Sequence, residues 1–375
     1  MWLSALALFA VSLGYGVVLP LVPALTGGAE GLGLSLVYSL YSAAKIGTQV
    51  PGGVWVDQVG ARRIMVVGLS LFCVSTLALL VPGPVWWLVA VRVVEGVATG
   101  LVFPAVFARV FAVRGPGRGT SLGVVGGVGS SGLVVGPVLA GVLGPVDVRL
   151  PVAVAAGIAL LTLLLVVLER GAPSGLPSAR TLKDELGQLG RLARQAAFVG
   201  VMLPIGFNKL SYTALQGVLP LHAKAFQGLE LPQVTMLFAA MGVTFALAQP
   251  LGGFLADRFP VRPLVSICAP LSMFSLGAMS FAPGHAAYAV ALVGYIFGSS
   301  LVFAVVMKHA ADTFGGDALG GLYGVLGTLT DTMTVLGPLL FVTLYASQPE
   351  VTYVAMALTG VLFVGGFLVL TRRAG

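Results

Sequence analysis

Charge is scarce in this chain: of 375 residues only 9% are Asp, Glu, Lys or Arg, where a soluble protein averages about 25%. Twenty basic and 13 acidic side chains cannot cover a water-facing surface of this size, which excludes a soluble globule. Cysteine is nearly missing. Cys73 and Cys268 each sit inside an apolar run, where an unpaired thiol behaves as a small hydrophobe, so no disulfide framework is implied. Histidine is also rare, and His222, His285 and His309 all fall near the ends of apolar runs. No Ser/His/Asp set shares a depth, and His309 with Asp312 lacks the further ligands a metal needs, so neither an enzyme nor a metal or cofactor site is expected. A nucleotide-binding P-loop pattern is absent, which argues against ATP-driven transport by this chain alone. The net charge of +7 is scattered between apolar runs and does not form a solvated basic face, so no nucleic-acid partner is expected.

What the chain has in abundance is hydrophobic sequence, at 58% of residues and a mean hydropathy of +1.03. A membrane-spanning helix needs about 20 mostly apolar residues. Cutting at Gly, Pro and charge clusters predicts twelve such helices, near 2–26, 33–57, 63–82, 84–111, 119–143, 150–168, 197–225, 231–256, 262–281, 285–308, 318–346 and 351–370. Transmembrane strands are excluded, because these runs are continuous and do not alternate. Fifteen of the twenty basic residues then fall on one side of the membrane, only Arg149 and Lys224 on the other, and Lys45, Arg92 and Lys209 within it. By the positive-inside rule both termini are cytoplasmic, in a multi-pass protein of the cytoplasmic membrane.

Residues 169–196 interrupt the apolar pattern and divide the chain into bundles at 1–168 and 197–375. Leu182, Leu186, Leu189 and Ala193 share one helical face, so a flexible joint followed by an amphipathic surface helix is expected. The two sides of the joint repeat each other. Leu19-Pro20-Leu21 recurs as Leu219-Pro220-Leu221, and Gly52-Gly53 with Asp57 and Arg62 recurs as Gly252-Gly253 with Asp257 and Arg262. Leu101-Val102-Phe103 recurs as Leu301-Val302-Phe303, and Gly136-Pro137 as Gly337-Pro338. A common register across so many helices implies an all-α membrane protein of two six-helix bundles related by a parallel pseudo-repeat, an arrangement suited to alternating access around a central site.

Three motifs resemble those of the major facilitator superfamily. Gly53 through Gly60 to Arg62 and Arg63 is similar to the family's signature loop, with Gln58 where a basic residue is usual. The resemblance implies tight-turn glycines and charge contacts at a cytoplasmic gate; the partner loop keeps Asp257, Arg258 and Arg262 but has Pro260 opposite Gly60. Arg92-Val93-Val94-Glu95-Gly96 resembles an Arg-x-x-Gln-Gly pattern of proton-coupled members, with Glu95 in the Gln position. Gly132, Gly136, Pro137 and Gly141 resemble a motif of the drug:proton antiporter branch, which implies export and a close helix-packing seam. The fold so implied is the major facilitator fold.

Lys45, Glu95, Lys209 and Asp331 all lie near the bilayer midplane at ~1.5 Å of rise per residue, and Arg92 lies one turn from Glu95. Buried ionisable groups of this kind mark function. Glu95 with Arg92 is the expected proton-coupling pair, and Asp331 the competing proton carrier. Tyr38, Lys45, Asn208, Tyr212 and Gln216 lie on two polar stripes aimed at a substrate cavity. In the family fold Tyr15, Thr99, Lys209 and Tyr295 also line it. The partners expected are a small organic substrate, protons and the lipid bilayer, with one chain sufficient as a monomer. The function so read is proton-coupled export by antiport, the alternative being a symporter or uniporter that imports a small, anionic metabolite.

Overall fold

The computed structural model describes residues 2–27, 31–111, 118–169, 195–314 and 319–371. These form twelve α-helices: α1 (Trp2–Leu25), α2 (Gly31–Val59), α3 (Ala61–Ala78), α4 (Val85–Phe111), α5 (Arg118–Leu143), α6 (Arg149–Leu168), α7 (Ala196–Ala225), α8 (Leu231–Arg258), α9 (Val261–Ala278), α10 (His285–Phe314), α11 (Leu319–Ser347) and α12 (Thr352–Leu370). Two short 3₁₀ turns, Met279–Phe281 and Pro349–Val351, precede α10 and α12. No strand occurs among the described residues, as lipid requires of a chain that must satisfy its backbone within each segment. The expected amphipathic helix in the joint lies outside the described residues.

Among the described residues, eight helices are long and apolar enough to cross a membrane: α1, α3, α4, α6, α8, α9, α10 and the segment ending in α12. The other four, α2, α5, α7 and α11, are 26 to 30 residues long. In α2 and α7 the hydropathy is diluted by glycine and by the polar side chains of the two stripes.

By contacts the chain divides into two compact units, Met1–Leu182 with Glu230–Ala239, and Lys183–Leu229 with Ala240–Gly375. In the first unit α1 packs along α5 and α2 along α4. Small residues make these seams close: a Cβ on Gly136 would stand 2.7 Å from backbone atoms of Leu13, Gly16 and Val17, and one on Gly132 would stand 2.6 Å from the Leu13 nitrogen. In the second unit the register repeats. Gly337 of α11 lies against the Leu210 carbonyl of α7, and Gly252 packs on Leu301 and Ala304 much as Gly52 packs on Leu101 and Pro104. Cys73 and Cys268 are buried free thiols. His222 is a packing ring, stacked 4.6 Å from Phe226 and 5.6 Å from Tyr288, with Tyr345 and Tyr353 edge-on.

Backbone atoms cannot yield as a side-chain end can, so Gly136→Ala is expected to cost about 1–3 kcal/mol of stability. Gly127 sits on the same helix with nothing near its missing Cβ. Gly127→Ala is therefore expected to be neutral or slightly stabilising, and thermal melting of the two variants in detergent measures the contrast.

Candidate functional site

Within the first unit the expected pair on α4 is formed. Arg92 Nη1 donates to Glu95 Oε2 at 2.6 Å, and the two side chains are 1% and 0% exposed. Helical spacing of three residues brings them together, and neighbouring helices enclose them. The guanidinium carbon lies 4.2 Å from the ring centre of Tyr41 and 5.3 Å from that of Tyr15, and the two rings are 4.9 Å apart. Tyr41 donates to Thr99 Oγ1 at 3.2 Å, and Thr99 donates in turn to the Glu95 carbonyl at 2.8 Å. Gly96 makes the arrangement possible, since a Cβ there would collide with the Tyr41 carbonyl. Arg92 Nε and Nη2 and Glu95 Oε1 have no hydrogen-bond partner among the described residues.

Two other expected residues of this unit make contacts of their own. Tyr38 is buried and donates to the Leu19 carbonyl at 3.2 Å, which ties α2 to α1. Lys45 is half-buried, its Nζ 5.1 Å from the ring centre of Phe103. Tyr41 escaped the sequence reading, although its spacing from Tyr38 and Lys45, three and four residues, places it on the same face.

In the second unit Lys209 Nζ stands 3.3 Å from Asp331 Oδ1, with the lysine 36% and the aspartate 9% exposed. The two were read from sequence as separate groups; α7 and α11 bring them together across 122 residues of chain. Asn208 donates to Ser299 Oγ at 2.6 Å, and Tyr295 shares a 2.6 Å hydrogen bond with Ser211. Both side chains thus bind α7 to α10. Tyr212 lies 6.3 Å ring to ring from Phe245, and Gln216 is buried.

The loop motif meets the expectation in part. Gly53 and Gly253 lie inside α2 and α8 with open space where a Cβ would be, so neither makes a turn. The turn is at Gly60, whose φ of 98° is unfavourable for other residues, whereas Pro260 makes the matching turn at φ −59°. Arg62 caps the end of α6, donating to the carbonyls of Val166 at 3.2 Å and Val167 at 2.6 Å. Arg262 does the same for α12 at Leu368, 3.2 Å away. Cations at helix C-termini satisfy orphan carbonyls and oppose the helix dipole. Asp257 meets Lys308 at 3.4 Å, Lys308 also holds Asp312 at 2.8 Å, Arg258 stacks on Phe254, and Arg63 is exposed.

Beside Arg62, Arg109 Nη2 donates to Glu169 Oε1 at 2.6 Å. That hydrogen bond, with the charges of Arg109 and Arg62, holds the Glu169 carboxyl below the usual glutamate range against the opposing effect of its partial burial. A carboxyl depressed on folding stabilises the protein above its unfolded pKa of about 4.3 and ceases to do so as pH falls through the folded value. Glu169→Gln is therefore expected to lower the melting temperature at pH 7, with the difference shrinking as pH falls below the unfolded value and vanishing only below the folded one. A difference of constant size from pH 7 into the acid range would trace to packing instead.

The family model of the Major Facilitator Superfamily matches residues 4–225 and again 201–374. The chain belongs to this superfamily. Its repeated match restates the pseudo-repeat seen in the sequence and in the packing of the two units. Among curated relatives, the class E tetracycline resistance protein of Escherichia coli is 25% identical over 381 residues, covering 93% of this chain and 88% of that protein. Multidrug resistance protein 1 of Bacillus subtilis is 24% identical over 257 residues, 67% of this chain; the chain spans 64% of that relative's length, somewhat under two thirds. A bacterial homologue of the human lysosomal transporter Spinster, solved facing inward and unoccupied, superposes with a TM-score of 0.83 at 14% identity over 99% of this chain and 95% of that one. At that identity the likeness shows the fold. The chain is a multi-pass membrane protein of this fold, and both relatives are named for resistance.

Proposed function

We propose that this chain is a proton-coupled exporter of small organic molecules in the cytoplasmic membrane, with both termini cytoplasmic and a single chain sufficient. Its two units alternate access to the substrate, and Glu95 carries the proton against Arg92 as counter-charge. The observation that carries the reading is the fully buried Arg92–Glu95 pair, whose carboxylate keeps one oxygen without a partner. A purely structural ion pair in lipid is costly and gains most when every donor and acceptor is used; this one is left incomplete. The glycine seam of α1 with α5 and the resistance relatives support the direction of export.

Lys209 with Asp331 is the second candidate for coupling, favoured by its greater exposure to an approaching substrate. The test is proton movement in proteoliposomes under an imposed pH gradient, read with a lumenal dye while compounds are added. Compound-dependent proton release identifies antiport. Compound uptake without proton movement identifies a uniporter, and co-movement of compound and proton a symporter.

A further inference from the structure

The buried pair on α4 is chemically unfinished in a particular way. Glu95 engages only Nη1 of Arg92, which leaves the Nε and Nη2 groups, a side-on fork suited to a carboxylate, without a partner. Glu95 Oε1 also lacks one, an acceptor beside a donor fork. Both side chains are nine-tenths buried or more, so these atoms are not turned to bulk water. Buried polar atoms of native proteins are nearly always hydrogen-bonded, and three orphans on one ion pair call for an explanation. The faces of Tyr41 and Tyr15 fix the guanidinium plane from the side, and Tyr15 is the ring of the cluster that is only half-buried.

We infer that Arg92, Glu95 and the tyrosine pair form a subsite for a zwitterionic group, with a substrate carboxylate on the Arg92 fork and a substrate ammonium on Glu95 Oε1. Tyr15 is the cover that must move for entry. The inference rests on the reading of Glu95 as the coupling carboxylate and adds the substrate class. Coupling sign selects among charge types. An ammonium and a proton compete for Glu95, so binding releases the proton, as antiport requires. A lone carboxylate would take Arg92 from Glu95 and draw a proton in with it, which gives co-transport. A lone ammonium would leave the fork empty. Only a ligand with both charges on neighbouring carbons completes the donors and acceptors while keeping proton and substrate exclusive.

The experiment uses the full-length protein in detergent and a matched series on one aromatic scaffold: phenylalanine, phenethylamine and 3-phenylpropanoate. Binding is measured by titration calorimetry, and proton release in proteoliposomes. Phenylalanine is expected to bind at least about tenfold tighter than either singly charged analogue. Arg92→Lys keeps the charge and loses the fork, and is expected to abolish that preference. Equal affinities across the series, no binding by any member, or a preference unchanged in Arg92→Lys would overturn the inference. The wild-type series decides it even if the lysine variant fails to fold. Protons released by phenethylamine alone would leave proton-coupled export standing and remove the zwitterion. A phenylalanine preference with no proton movement would do the reverse.

Discussion

Proton release by Glu95→Gln is expected to fall to the background of empty liposomes, with the signal normalised to the folded protein recovered. This is the largest effect expected on function. Glutamine keeps the shape of the side chain and its contact with Arg92 Nη1 but cannot take up or surrender a proton. A structural carboxylate would respond otherwise: proton flux would persist at reduced amplitude in proportion to folded protein. The parallel variant Asp331→Asn separates the two candidate carriers. If it abolishes proton movement and Glu95→Gln does not, the coupling role passes to the Lys209–Asp331 pair, whose 3.3 Å separation makes it the other intramembrane ion pair among the described residues.

The largest effect on stability is expected from Arg92→Met. Removing one member of a buried ion pair strands the other charge and costs about 3–5 kcal/mol. The loss of two aromatic contacts to the guanidinium adds to it, each cation–π contact being worth up to about 2 kcal/mol when desolvated. Adding Glu95→Gln removes the stranded charge, and the double variant should recover most of the lost melting temperature. Melting of the wild type, both single variants and the double variant in detergent closes the cycle. A double variant no more stable than Arg92→Met would show that the arginine acts through its packing between Tyr15 and Tyr41. A double variant that is stable and still exchanges protons would remove the coupling role from α4.

Some of the site was legible because it is local. Arg92 and Glu95 stand three residues apart on one helix, so their contact follows from helical pitch whatever surrounds them. The close seams of Gly132, Gly136 and Gly337 were also readable, since small residues at regular helical spacing in an apolar run mean close approach. The partnership of Lys209 with Asp331 could not be read, because 122 residues separate them and only the packing of α7 on α11 joins them. Periodicity put Asn208, and the family resemblance Tyr295, on a cavity; the structure adds that their polar atoms meet Ser299 and Ser211 inside the second unit. Periodicity gives the face of a helix and says nothing about which neighbour receives it.

The loop motif shows the same division. Its repeat at Arg62 and Arg262 was plain, but the sequence suggested charge contacts with the aspartates, and the structure assigns both arginines to carbonyls at the ends of α6 and α12. Those carbonyls belong to Val166, Val167 and Leu368, residues with no polar side chain to mark them.

The sequence by itself determined that this protein lives in lipid, as twelve helices in two repeated halves. These follow from solvation and helical pitch, which act along the chain and need no partner. The tertiary structure decided which charges pair, which tyrosines enclose the arginine and which backbone carbonyls the loop arginines cap. Those depend on distances between helices far apart in sequence, and such distances are set when side chains pack.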